Sequence, residues 1–168
     1  MYRIALLFVF IMNTAVSQDR DELDKRNGFK DLKLGISIDS VQVTKLKKEF
    51  KERNEFEAKL YEVENPAYEK IGEVKVKSVE VKTYKDLIYE INVIVDKDTR
   101  VMKALESLYG KSDYDMKSEI YFWKTSNLVL KFGAHGKHHL ELTYISLPLH
   151  QKMKEDKGQK VDDIANDF

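Results

Sequence analysis

Three of the four histidines cluster at one predicted turn, and histidine is a common metal ligand. The segment reads Ala134-His135-Gly136-Lys137-His138-His139. A hairpin here would bring two of the imidazoles of His135, His138 and His139 within reach of one Zn²⁺ or Cu²⁺, with His150 or a carboxylate as a third ligand. The alternative is a solvated polar turn in which His139 only borders a strand, since none of the established zinc-site spacings is present.

Nucleophilic and carboxylate chemistry have weaker support in the sequence. Ser37 has no glycine-flanked elbow and precedes an apolar run, so we expect it to cap a helix. The acidic side chains alternate with apolar or basic ones, as on a solvent-facing surface: Glu57, Glu62, Glu64, Glu80 and Glu90. A hydrolase is therefore the third of three functional hypotheses, after a binding protein and a metal-binding protein.

The chain is rich in aromatic residues, with nine Tyr, eight Phe and one Trp. Tyr121 and Trp123 alternate with Ile120 and Phe122, so the two pairs face opposite sides of a strand. If Tyr121 and Trp123 face outwards, they form with Tyr144 a candidate patch for a protein or glycan partner. In the alternative, the helices or apolar residues near the tail cover this face: Leu147, Leu149 and Met153.

Composition excludes several classes of protein. The chain contains no cysteine, which excludes a disulfide framework, a thiolate metal site and a cysteine nucleophile. Its 29 basic and 29 acidic residues balance, so nothing in the charge indicates nucleic acid or anionic lipid as a partner. We expect no cofactor.

The N-terminus has the pattern of a secretory signal peptide over residues 1–17. Arg3 precedes an apolar run from Ile4 to Met12, and Ala15-Val16-Ser17 offers a small-residue cleavage site. At about 1.5 Å per residue this run spans about half of a hydrocarbon core, so we expect no stable membrane span after cleavage. The alternative is an uncleaved N-terminal anchor. The mature protein is thus expected to be secreted or periplasmic.

Charge and polarity set the expected domain boundaries. Residues 18–27 are charged with few apolar side chains, which is typical of a disordered lead-in. Residues 28–150 are expected to form a single domain. Residues 151–168 read as a polar tail, partly helical or disordered.

Hydrophobic spacing predicts an α+β domain. Ile38, Val41, Leu46 and Phe50 recur as on an amphipathic helix ending near Arg53. A second helix is expected from Asp98 or Thr99 to Gly110. Three strands are expected after each helix: Phe56 to Val63, Val74 to Tyr84, Leu87 to Val95, Glu119 to Trp123, Leu128 to Gly133 and His139 to Ile145. The expectation is a predominantly antiparallel sheet of about six strands, from two helix-then-three-strand units, with two main helices packed on it.

Two stretches carry a resemblance to known exported proteins. Leu32-Lys33-Leu34-Gly35-Ile36-Ser37 followed by Val41, with Leu105 to Lys111 in the second predicted helix, resembles small bacterial proteins whose units begin Gly-x-Ser/Thr-x-x-x-Val. These include the small lipoprotein of the outer-membrane β-barrel assembly machine and the β-lactamase-inhibitor proteins. Trp123, Leu128 to Phe132 and Leu142 to Ser146 resemble uncharacterised secreted or periplasmic proteins of Bacteroidetes-type bacteria. The resemblance implies an architecture and favours a binding role.

The leading hypothesis is therefore a secreted or periplasmic, non-enzymatic binding protein whose partner is an unknown protein or glycan of the cell envelope. A small metal-binding protein that uses the turn at His135, His138 and His139 is the alternative.

Overall fold

The structure is a computed structural model that describes residues 17–166, with side chains described over 20–160. Over these residues it is mostly antiparallel sheet. One sheet has nine strands, and three α-helices accompany it. The prediction of six strands with two helices is therefore wrong. Of the predicted signal peptide, residues 1–16 lie outside the described part of the chain.

The described elements follow one another in a simple order. The helices are α1 (Ser17–Arg26), α2 (Thr99–Tyr109) and α3 (Leu147–Asn166). The strands are β1 (Gly28–Phe29), β2 (Leu32–Lys33), β3 (Thr44–Glu52), β4 (Phe56–Val63), β5 (Lys70–Ile71), β6 (Val74–Tyr84), β7 (Leu87–Asp96), β8 (Asp113–Asp115), β9 (Ile120–Lys124), β10 (Leu128–His135) and β11 (His139–Ser146).

The main sheet consists of two antiparallel halves. Its order is β3-β4-β6-β7-β11-β10-β9-β8, with short β5 pairing beside β6. Helix α2 carries the chain from β7 to the far edge at β8, and the chain then returns by hairpins until β11 pairs with β7. The two halves therefore meet in the middle of one continuous sheet rather than repeating a helix-then-strand unit.

The two faces of the sheet bury separate cores. The larger core lies on the face that α1, α2 and the β1–β2 ribbon cover, which we call the inner face. It includes Leu23 of α1, Leu105 of α2 and Trp123 of β9. The smaller core lies on the outer face and contains Leu149 and Met153 of α3. Because burial of each large apolar side chain contributes about 1.5–3 kcal/mol, the inner face supplies most of the stabilisation.

The helix expected to end near Arg53 is absent and is replaced by strand β3. Ile38–Ser40 form only a short 3₁₀ helix, which the Ser37 side chain caps by accepting from the amide of Asp39 at 3.3 Å. Val43 then has a φ of 58°, which an α-helix does not accommodate. The next residues pair with β4 instead. Pairing with a neighbouring strand thus overrides the helical preference of a Lys- and Glu-rich sequence.

Residues 18–27, expected to be disordered, lie almost wholly in helix α1. Leu23 is fully buried in the inner core. Arg20 donates to the carbonyl of Lys124 at 2.9 Å and to Asp113 at 3.0 Å. One buried leucine and these long-range contacts hold the segment, and sequence composition contains no sign of them.

The expected polar tail is helical over most of its length, because α3 continues to Asn166.

Across residues 17–166, no helix combines the length and apolar character needed to cross a membrane.

Candidate ligand-binding cleft

The histidine turn does not assemble a metal site. His135 and His139 face each other across the β10–β11 hairpin. His135 Nδ1 lies 3.2 Å from Glu141 Oε2, and His139 Nε2 lies 3.7 Å from Asp96 Oδ1. Within the described part of the chain, no group of three His, Cys, Asp or Glu side chains is placed to hold a metal ion.

The other two histidines, His138 and His150, do not complete a group of three metal ligands with His135 and His139. The backbone of His138 accepts a hydrogen bond from the amide of Lys97 at 3.0 Å. His150 follows the opposite end of the β10–β11 ladder, where Leu128 pairs with Ser146. Seven steps of about 3.4 Å along the strand separate this end from the histidine turn. His150 therefore does not serve as the third ligand.

The predicted patch of Tyr121, Trp123 and Tyr144 is not formed, because two of its members are buried. Trp123 is 0% exposed and Tyr144 is 3% exposed. The indole Nε1 of Trp123 donates to the carbonyl of Gly110 at 2.8 Å, and its ring packs edge-on against Tyr109. Helices α1 and α2 cover this face, whereas Leu149 and Met153 near the tail cover the opposite one.

Tyr121 is the one member of that patch that reaches solvent. It is 38% exposed, and its ring lies 4.8 Å from that of Tyr114 in the edge strand β8. Met116 follows in the same connection and is more exposed still. These side chains form a small exposed apolar surface.

A cleft opens where strands β4 and β6 separate. Their pairing runs from Glu62 opposite Glu80 to Lys59 opposite Thr83 and then ends. The β3–β4 hairpin continues beyond this point to its loop, as the β6–β7 hairpin does to its own turn. The two hairpin ends are therefore neighbours without being paired, and a cavity of about 580 Å³ lies between them. This volume is within the range of small-molecule sites.

Helix α3 closes the cleft on the outer face. Asp156 of α3 accepts from Tyr84 at 2.7 Å and lies 2.6 Å from Lys85 Nζ, at the end of the β6–β7 hairpin. One residue later, Lys157 contacts Glu55 in the β3–β4 loop at 2.6 Å. The helix thus links both hairpin ends.

The cleft has an apolar wall made of aromatic and small side chains. Phe50 of β3, Phe56 and Ala58 of β4 and Tyr84 of β6 line it. Phe56 and Tyr84 pack edge to face with ring centroids 6.1 Å apart. All four belong to the outer core under α3, so the wall is a partly open extension of that core.

The remainder of the lining is charged. Lys59 Nζ reaches across the gap to Asp86 Oδ1 at 3.1 Å, on the face opposite α3. Hydrogen bonding and attraction to Asp86 raise the pKa of Lys59. The other charged residues at the cleft are Lys51, Lys85 and Lys160, with Glu49 and Glu57.

Thr83 gives the cleft wall a polar group with an unmet hydrogen bond. The residue is 1% exposed, and its Oγ1 has no partner among the described residues. A buried hydroxyl without a partner is unfavourable by about 1–3 kcal/mol.

The sequence offers little signal for this site. Phe50 is assigned to a helix in the prediction, and Thr83 and Tyr84 appear only as the last residues of a strand. Alternation predicts the strands but not the residue at which β4 and β6 stop pairing. The position of α3 across both hairpins is a tertiary feature.

Comparisons with protein-family models, curated proteins and solved structures find no match to this chain. The resemblance to small exported bacterial proteins stays a prediction.

Proposed function

We propose that the protein is a secreted or periplasmic, non-enzymatic binding protein that holds a ligand in the cleft between the β3–β4 and β6–β7 hairpins. The observation that carries the proposal is the cleft itself, a cavity of about 580 Å³ with an aromatic wall and charged margins. Concave sites that combine an apolar wall with polar groups able to orient a ligand are the usual places for ligands in proteins.

The hydrogen bonds and ion pairs of the side chains that line the cleft favour ligand binding over catalysis. The Tyr84 hydroxyl donates to Asp156, and burial together with this hydrogen bond raises its pKa to about 12. It therefore stays protonated at neutral pH. Lys59 and Lys85 are each engaged in an ion pair, with Asp86 and Asp156 respectively. Such groups orient a ligand by hydrogen bonds and charge.

The N-terminal pattern supports a ligand that is met outside the cytoplasm. Residues 1–17 are predicted to be a signal peptide. Peptides, glycan fragments and amphipathic anions from the cell envelope are the classes to examine first.

A thermal-shift screen of the purified protein tests the proposal. A ligand at one hundred times its Kd stabilises the folded state by about 2.7 kcal/mol. In a domain of this size that is about 5 to 10 °C in Tm. The test variant is Ala58→Leu, which fills the cleft, and the matched control is Ala104→Leu, the same change at an exposed position of α2.

We expect at least one ligand class to raise the Tm of the wild type and of Ala104→Leu but not that of Ala58→Leu. Either of two results would overturn the proposal: no class raises the Tm of the wild type, or Ala58→Leu is stabilised as strongly as the wild type.

A further inference from the structure

The lysines beside the cleft's aromatic wall favour an anionic ligand over a cationic one. Lys48 Nζ lies 5.5 Å from the ring centre of Phe50, and Lys85 Nζ lies 5.5 Å from that of Tyr84. Aromatic faces attract cations, and here lysines of the chain already occupy that role. Of these two lysines, Lys85 lines the cleft, so a cationic ligand at the face of Tyr84 would meet like charge there.

Lys59 supplies a positive group that an incoming anion can use. Its partner Asp86 lies in the β6–β7 turn, and both side chains are partly exposed, at 40% and 53%. Ion pairs this exposed contribute little to stability, so a ligand anion can replace Asp86 at the Lys59 ammonium with little loss. The ammonium of Lys59 would then hold the anion on the face opposite α3, and the ligand's apolar part would pass between the hairpin ends to reach Phe50 and Tyr84 on the other face.

We propose that the cleft binds a free amphipathic anion: a small molecule with an apolar body and one acidic group, held by Lys59. This inference rests on the proposed function and names the ligand chemistry for the same site. The roles of Lys59 and Asp86 are opposite. Lys59 attracts the anionic group, whereas Asp86 competes with it for the same ammonium.

Two fluorescent probes of nearly the same shape test the charge requirement. 8-Anilinonaphthalene-1-sulfonate is an aromatic anion, and N-phenyl-1-naphthylamine is its uncharged analogue. We expect the anion to bind the folded protein more tightly than the neutral probe. Ala58→Leu is expected to weaken both, and Ala104→Leu neither.

Variants that each remove one charge then distinguish the effect of Lys59 on probe binding from the effect of the overall surface charge. Lys59→Gln is expected to raise the Kd of the anionic probe by about two- to fivefold and leave the neutral probe unchanged. Asp86→Asn is expected to lower that Kd by a similar factor, and loss of folding cannot produce such a gain. Lys103→Gln, at an exposed position of α2, is the control and should change neither.

Several results would overturn the inference. It fails if the neutral probe binds as tightly as the anion, or if Lys59→Gln and Asp86→Asn leave the anion's Kd unchanged. It also fails if vesicles with anionic lipid displace the probe as efficiently as a free long-chain carboxylate does, since the site would then be a membrane surface. The proposed binding function can still hold in each of these cases. A peptide or glycan fragment that raises the Tm of the wild type but not that of Ala58→Leu would support it without an anionic ligand.

Discussion

The hydroxyl of Tyr84 donates a 2.7 Å hydrogen bond to Oδ2 of Asp156, and this bond attaches α3 to the end of the β6–β7 hairpin. Lys85 reinforces the attachment from the adjacent position in the turn, and Lys157 contacts Glu55 in the other hairpin. The separation of the two hairpin ends, and with it the width of the cleft, therefore depends on how α3 is docked.

The first prediction concerns the titration of Tyr84. Burial, followed by the hydrogen bond to Asp156, raises its pKa from 10.0 to about 12. Because the folded-state pKa is raised, the stabilisation is complete below pH 10 and is lost as the pH rises towards 12. In a spectrophotometric titration, the difference between wild type and Tyr84→Phe should show one phenol with a midpoint of about 12. A midpoint near 10 would contradict the docking of Asp156 against Tyr84.

The second prediction concerns His150, near the start of α3. Its ring packs edge-on against Tyr89 at 5.4 Å, and burial is the main cause that lowers its pKa below 6.5, with Arg53 adding to the effect. Glu90 and Glu52 oppose the shift, and Lys154 supports it. The native state thus favours the neutral ring.

The sign of the effect of His150 on stability follows from this shift. A lowered histidine pKa contributes stability that is complete above pH 6.5 and is lost as the pH falls through the folded-state pKa. Urea unfolding should therefore show the wild type losing more stability than His150→Gln below pH 6.5. An NMR titration of His150 with a midpoint at or above 6.5 would rule out this explanation.

Apolar alternation and turn residues along the chain determine several strands and one turn of the fold. Strands β4 and β6 have the predicted bounds, because apolar residues alternate along buried, two-neighbour strands. Lys85-Asp86 between two extended segments also predicts a tight turn, and this turn forms with φ of 49° and 62° at the two residues. Val74 and Val76 fall in one phase of the alternation and Val79 and Val81 in the other, which predicts a bulge near Ser78. The structure has a register shift between Val76 and Ser78.

Strand β3 and the cleft show what local patterns leave out. As an edge strand, β3 has β4 as its neighbour and exposes nearly all its side chains, so no apolar alternation marks it. Its many lysines suit both a helix surface and an edge strand. The cleft depends on where pairing ends after Lys59 and Thr83, and the alternation of apolar residues in either strand does not predict that point.

The third prediction tests helix α1 through Leu23. This side chain is fully buried in the inner core, so Leu23→Ala should lower the free energy of unfolding by about 2–5 kcal/mol. Lys25→Ala, an exposed position of the same helix, is the control and should stay within about 0.5 kcal/mol of the wild type. Urea unfolding at neutral pH measures both. Equal stabilities for the two variants would mean that the segment is disordered, as its composition alone suggests.

The last prediction uses Trp123, the single tryptophan of the chain, as a probe of the inner face. Since the indole is fully buried and donates to Gly110, acrylamide should quench its emission several-fold less in the folded protein than in urea. Trp123→Phe removes this donor and leaves a cavity beside Tyr109, so it should destabilise the protein by about 1–3 kcal/mol. Trp123 lies in β9, which β7, β11 and β10 separate from the cleft strands β4 and β6, and the anionic probe should therefore bind this variant as it binds the wild type. Quenching of the folded protein as strong as in urea would instead place Trp123 on an exposed surface and restore the aromatic patch as the candidate binding site.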